Sequence, residues 1–85
     1  MKTQPDPVPI TIYSKPGCHL CEAMKALVER VGRRVLLQIE EIDISTDPEL
    51  MRLYELEIPV LLIAGRKAAK YRISEEDLLR RLAAR

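Results

Sequence analysis

Ile10-Thr11-Ile12-Tyr13-Ser14-Lys15-Pro16-Gly17-Cys18-His19-Leu20-Cys21 is the stretch whose reading decides the fold. Its first four residues alternate apolar and β-favouring side chains, the period-two pattern of a strand with one buried face. Ser14-Lys15-Pro16-Gly17 then breaks both strand and helix. Beyond the break, Leu20, Met24, Leu27, Val28 and Val31 recur at steps of three and four, the period of a helix with one apolar stripe. Gly32 suits the C-terminal cap of that helix, with Arg33 and Arg34 beyond it. The two cysteines therefore stand at the start of a helix that a tight loop joins to a strand.

Working outward, the first eight residues hold two prolines, with a third at Pro9, and no periodicity, and read as a leader (1–8) to a single domain over 9–85. Residues 35–44 are rich in aliphatic and β-branched side chains and predict a second strand. Their apolar phase slips at Glu40-Glu41, which predicts a bulge or a strand shorter than the run. Ser45-Thr46-Asp47-Pro48 supplies caps and a first-turn proline for a short helix carrying Leu50, Leu53, Tyr54 and Leu56. Pro59 opens Val60-Leu61-Leu62-Ile63, Ala64-Gly65-Arg66 can turn, and Ala69, Tyr71 and Ile73 alternate on the return, as in a hairpin. Ser74-Glu75-Glu76-Asp77 resembles a capping box before a last helix with Leu78, Leu79 and Leu82 inward. The order βαβαββα predicts an α/β domain. A right-handed crossover makes its first two strands parallel and the closing hairpin is antiparallel, giving a four-stranded mixed sheet with helices on both faces.

Composition narrows the function. A chain of 85 residues can bury one modest core, and 47% hydrophobic with 32% charged residues describes a globular protein. The formal net charge of +1 gives no field to draw the molecule to nucleic acid or to an anionic membrane. With no Trp, no Phe and three scattered Tyr, a base-stacking platform has little to be built from. Neither nucleic acid nor membrane is therefore expected as a partner. No secretory signal or bilayer-length apolar run occurs, so the expected compartment is the cytoplasm, with a monomer as the working state.

The only two cysteines, Cys18 and Cys21, lie three positions apart, which points to redox or metal chemistry. A helix start presents unpaired N–H groups and about half a positive charge, which favour a thiolate over a thiol. Cys18 is the better placed and reads as the nucleophile, with Lys15 and His19 as nearby cations to stabilise its thiolate. Cys21, one turn deeper, reads as the resolving cysteine, and the spacing permits a disulfide between the two. The rival reading is a soft-metal-binding or carrier module using the same pair. A structural zinc site would need four ligands, and His19 is the only further candidate beside the cysteines, so no metal site is assigned. A two-cysteine copper carrier commonly has the order βαββαβ, which differs from this chain's.

Lys15 and His19 could equally be solvated loop residues, and Leu20, Met24, Leu27 and Val28 are core rather than chemistry. Arg66, Lys67, Lys70 and Arg72 read as a charged edge strand that resists edge-to-edge pairing.

At this point the chain resembles the glutaredoxins, and more narrowly the glutaredoxin-like proteins with a Cys-x-Leu-Cys centre. The resemblance runs from Ile10 to Leu82 and is carried by the strand-loop-helix quoted above and by Ile58-Pro59-Val60. It implies a thioredoxin fold, a thiol-disulfide oxidoreductase acting on protein or mixed disulfides, and Cys18 as its catalytic cysteine. It also implies a cis Ile58–Pro59 bond packed against Cys18, with the Ile58 backbone available to hydrogen-bond a substrate strand. No cofactor is expected beyond the cysteines; glutathione is a candidate co-substrate and protein dithiols are candidate partners. Two departures bear on this. His19-Leu20 replaces the family's usual Pro-Tyr, and Arg72-Ile73 stands where glutaredoxins carry a Gly-Gly pair that closes over glutathione. Ser74, in the polar turn that follows, remains a candidate substrate-binding residue, and its helix start could hold an anion.

Overall fold

Val8, Ile10 and Ile12 point to one face of strand β1 (Val8–Ser14) and are all but fully buried. Helix α1 (His19–Val31) lays Met24, Leu27, Val28 and Val31 over that face, and helix α3 (Glu75–Ala84) adds Leu78 and Leu82 to the same cluster. Burying each such side chain stabilises by roughly 1.5–3 kcal/mol, so this layer supplies most of the driving force. The computed structural model describes residues 6–84.

The remaining elements are β2 (Leu37–Asp43), a 3₁₀ turn (Ile44–Thr46), α2 (Pro48–Tyr54), β3 (Val60–Ile63) and β4 (Arg66–Lys70). The strands lie in the order β2-β1-β3-β4. β1 and β2 run parallel, while β3 runs antiparallel to both β1 and β4, making the expected mixed sheet. Tyr13 points to the face opposite Ile12, and there its ring stacks on Tyr54 of α2 with 4.8 Å between centroids. Helices thus cover both faces. Ala64 and Gly65, at φ 51° and 82°, form the two-residue turn between β3 and β4, the type whose twist matches a hairpin.

Several boundaries differ from those expected. Residues 1–5 of the expected leader lie outside the described residues. Val8, its last residue, belongs instead to β1: its amide donates to the Leu36 carbonyl at 3.0 Å and its side chain is core. Of the two outcomes expected at Glu40-Glu41, the bulge is absent and the strand is shorter than the run, Leu37–Asp43 within 35–44. β2 pairs with β1 without a break from Leu37 to Asp43, because an edge strand with exposed Gln38, Ile39, Glu40 and Glu41 need not keep an apolar phase. The irregularity lies instead between Leu61 and Leu62, opposite β4. β4 stops at Lys70, so Tyr71 and Ile73 belong to the connection into α3. No residue of α2 is buried, and Leu56 falls beyond its end, 86% exposed.

Candidate active site

The loop after β1 needs a left-handed turn, and Gly17 supplies it at φ +78°. Cys18 follows as the N-cap of α1, in an extended conformation. Its Sγ accepts a hydrogen bond from the Cys21 amide at 3.1 Å, and its carbonyl accepts one from Glu22 at 3.1 Å. Cys18 and Cys21 form a disulfide, with 5.2 Å between their Cα atoms. Cys18 is half-buried while Cys21 is only 1% exposed. An incoming thiol or disulfide therefore meets Cys18 first. The Cys21 amide and the positive end of α1 are both aimed at the Cys18 sulfur, an arrangement that favours negative charge there.

His19 is the exposed first residue of α1. Lys15 is half-buried in the loop, and its charge reaches Asp43 at the end of β2. The Asp43 carboxylate is held below its ordinary range chiefly by the Ser45 hydroxyl and amide, with Lys15 a smaller contributor.

The Ile58–Pro59 bond is cis, as the resemblance implies, and Pro59 is buried. β3 begins at Val60 beside Tyr13, so Pro59 comes level with Ser14, at the mouth of the loop that carries Cys18. Among the described residues, neither the amide nor the carbonyl of Ile58 has a hydrogen-bond partner. Ser74 lies in the connection just before α3. Its Oγ accepts from the Asp77 amide at 3.0 Å and so caps α3, and it lines a groove of about 370 Å³ between α1 and the 71–75 connection. Leu20, expected in the core, is instead 36% exposed between the two cysteines, on the first turn of α1 above the core stripe, and lines the same groove.

Two features of the site escaped the sequence. Tyr71, expected to alternate within a strand, has φ +71°, an angle that costs a side-chain-bearing residue about 1–2 kcal/mol. Its amide donates to the Pro59 carbonyl at 2.8 Å and its hydroxyl to the Leu56 carbonyl at 2.9 Å. No local pattern announces a contact between residues so far apart in sequence. The second is a polar cluster behind the loop. Ser14, 4% exposed, donates to Glu41 at 2.9 Å, and Lys25 of α1 pairs with the same carboxylate at 3.1 Å. The hydrogen bond to Glu41 is the main cause that raises the Lys25 ammonium above its ordinary value. The phase slip at Glu40-Glu41 was the trace of this cluster in the sequence, since Glu41 faces Ser14 rather than the core.

Among the described residues, no three His, Cys, Asp or Glu side chains converge on a common metal position. No helix among them is long and apolar enough to cross a membrane.

The sequence model of the Glutaredoxin-like domain (DUF836) matches residues 9–83. Among solved structures, protein Ne2328 of Nitrosomonas europaea is 28% identical, with a TM-score of 0.79, over 95% of this chain and 98% of its own. A structural-genomics target protein of X. campestris is 27% identical, with a TM-score of 0.70, over 89% and 97% of the two chains. The glutaredoxin-like protein NrdH-redoxin of Escherichia coli, described as having a thioredoxin-like activity profile, is 26% identical with a TM-score of 0.64, over 87% and 93%. No curated protein matches the chain.

Proposed function

The chain belongs to the glutaredoxin-like domain family, and from that premise we propose that it is a thiol-disulfide oxidoreductase with Cys18 as nucleophile and Cys21 as resolving cysteine. The observation that carries this reading is the asymmetry of the pair: bonded to one another at the start of α1, with Cys18 half-buried and Cys21 1% exposed. The Cys18 thiolate attacks one sulfur of a substrate disulfide. The other substrate sulfur leaves as a thiolate and takes up a proton, and a mixed disulfide remains on Cys18. Cys21, losing its proton, then attacks the Cys18 sulfur and releases the second substrate thiol. The substrate disulfide gains two electrons and the protein dithiol becomes the Cys18–Cys21 disulfide.

The unpartnered amide and carbonyl of Ile58 favour a substrate that presents an extended backbone, since such groups pair with a strand as a sheet edge does. Pro59 sets the position of that segment. Lys15 adds positive charge beside the loop, His19 is a second candidate to stabilise the thiolate, and Ser74 holds the start of α3 beside the groove. The thioredoxin-like profile described for NrdH-redoxin favours a protein dithiol over glutathione as the source of electrons here. A chain whose only cysteines form one redox pair suits a reducing, cytoplasmic setting.

The test is the reduction potential of the pair, measured by equilibration in glutathione buffers with quantified thiols, together with insulin disulfide reduction by the dithiol form. We expect a reversible two-electron couple and loss of all insulin reduction in Cys18→Ser. A pair that exchanges with neither glutathione nor insulin would refute the proposal.

A further inference from the structure

Among the described residues, two besides glycine have a left-handed backbone, Ala64 and Tyr71. Ala64 lies in a hairpin turn that requires the angle, whereas Tyr71 follows the end of a strand that does not. A strained residue persists where its surroundings fix it, and at Tyr71 two hydrogen bonds do so. Its amide and hydroxyl hold the carbonyls of Pro59 and Leu56, on either side of Ile58. One residue thus ties the segment that carries the Ile58 amide and carbonyl, which have no partner among the described residues. Tyr71 stays 42% exposed, with the Lys70 ammonium 5.5 Å from its ring centroid. With Leu20, 36% exposed, it lines the groove of about 370 Å³ beside α1.

We propose that Tyr71 is a specificity-determining residue that makes the exchange favour disulfides within extended polypeptides over small disulfides. The inference rests on the oxidoreductase reading above. Leu20 lies between the two cysteines, so whatever enters its groove is a near neighbour of the sulfur under attack. A bulky apolar side chain next to a substrate cysteine fits there, against Leu20 and the aromatic face. A residue before proline favours an extended backbone, and the tied segment holds Ile58 in place, so that its amide and carbonyl pair with the same substrate strand. A small disulfide has neither a strand for Ile58 nor a side chain for the groove, and gains nothing from Tyr71.

The experiment is a single turnover, in which dithiothreitol-reduced, desalted protein is mixed with insulin or with bis(2-hydroxyethyl) disulfide and formation of the Cys18–Cys21 disulfide is followed. The protein dithiol is the only reductant and each turnover consumes one substrate disulfide. Glycine accepts the backbone angle of residue 71, so Tyr71→Gly removes ring and hydroxyl without adding strain. We expect its rate constant with insulin to fall about tenfold or more while that with the small disulfide stays within about twofold. Tyr71→Phe keeps the ring and should fall between wild type and Tyr71→Gly with insulin. The ratio of the two substrates is read on one sample, so a change in the folded fraction cancels. Equal losses with both substrates would mark Tyr71 as structural only, and unchanged rates with both would also overturn the proposal. A wild-type dithiol that reduces neither substrate would instead overturn the oxidoreductase reading itself.

Discussion

The Cys21 amide donates to Cys18 Sγ across 3.1 Å, so the buried member of the pair contributes its backbone to the sulfur of the more accessible one. Because that bond and the end of α1 both favour a thiolate, Cys18 in the reduced protein should titrate below the free value of about 8.5. Alkylation rates measured across pH on Cys21→Ser give this value directly. The same variant should accumulate a mixed disulfide with substrate, visible by mass spectrometry. A Cys18 that titrates at the free value would remove the helix start from the mechanism.

Glutathione should be a poor electron donor. Arg72 and Ile73 carry side chains where a closing backbone needs glycine, and the first turn of α3 carries Glu75, Glu76 and Asp77, which repel a carboxylate. The Asp77 amide is already taken by Ser74. Turnover of a glutathionylated substrate, coupled once to glutathione reductase and once to a thioredoxin reductase system, should be faster in the second at matched driving force. Faster turnover with glutathione would mean that the groove accepts the tripeptide despite these charges.

Glu75 should make a stabilising contribution that acid removes. Its carboxylate is held below the ordinary 4.5, first by the Arg30 hydrogen bond and then by Arg34. A lowered folded-state value means that the stabilisation is fully present above the unfolded-state value and is lost as pH falls through the folded-state value. The pairs are solvent-exposed, so the effect should be small and should weaken further at high salt. Thermal unfolding of wild type and Glu75→Gln should show a gap at neutral pH that closes as the pH falls below 4.5 and through the folded-state value. A gap independent of pH would assign the loss to something other than the charge.

Ser14→Ala should destabilise the domain by about 1 kcal/mol, because it removes a nearly buried hydroxyl that donates to Glu41. For a domain of this size the melting temperature should drop by roughly 4–8 °C. Calorimetry would read this, and an unchanged melting temperature would show that Lys25 alone satisfies Glu41.

The elements were legible because each is announced locally. Period-two alternation at Ile10 and Ile12, the Pro16-Gly17 break and the three-four spacing from Leu20 to Val31 all lie within one helical turn or one strand repeat. The Asp47-Pro48 start of α2 and the Ala64-Gly65 turn are local for the same reason. Less legible were boundaries set by neighbours. Val8 joins β1 because Leu36 accepts its amide, and β2 runs straight through Glu40-Glu41 because its outer side has no strand to pack against.

By itself, the sequence determined the α/β order, the cysteine spacing and the position of Cys18 at a helix start, since backbone propensity and short-range spacing encode all three. Tertiary structure decided which groups surround that start. Tyr71 reaches Leu56 and Pro59, and Ser14 reaches Glu41, only once the sheet has brought distant segments side by side. Such contacts depend on register and on the closure of long loops, and neither is written in the residues that make them.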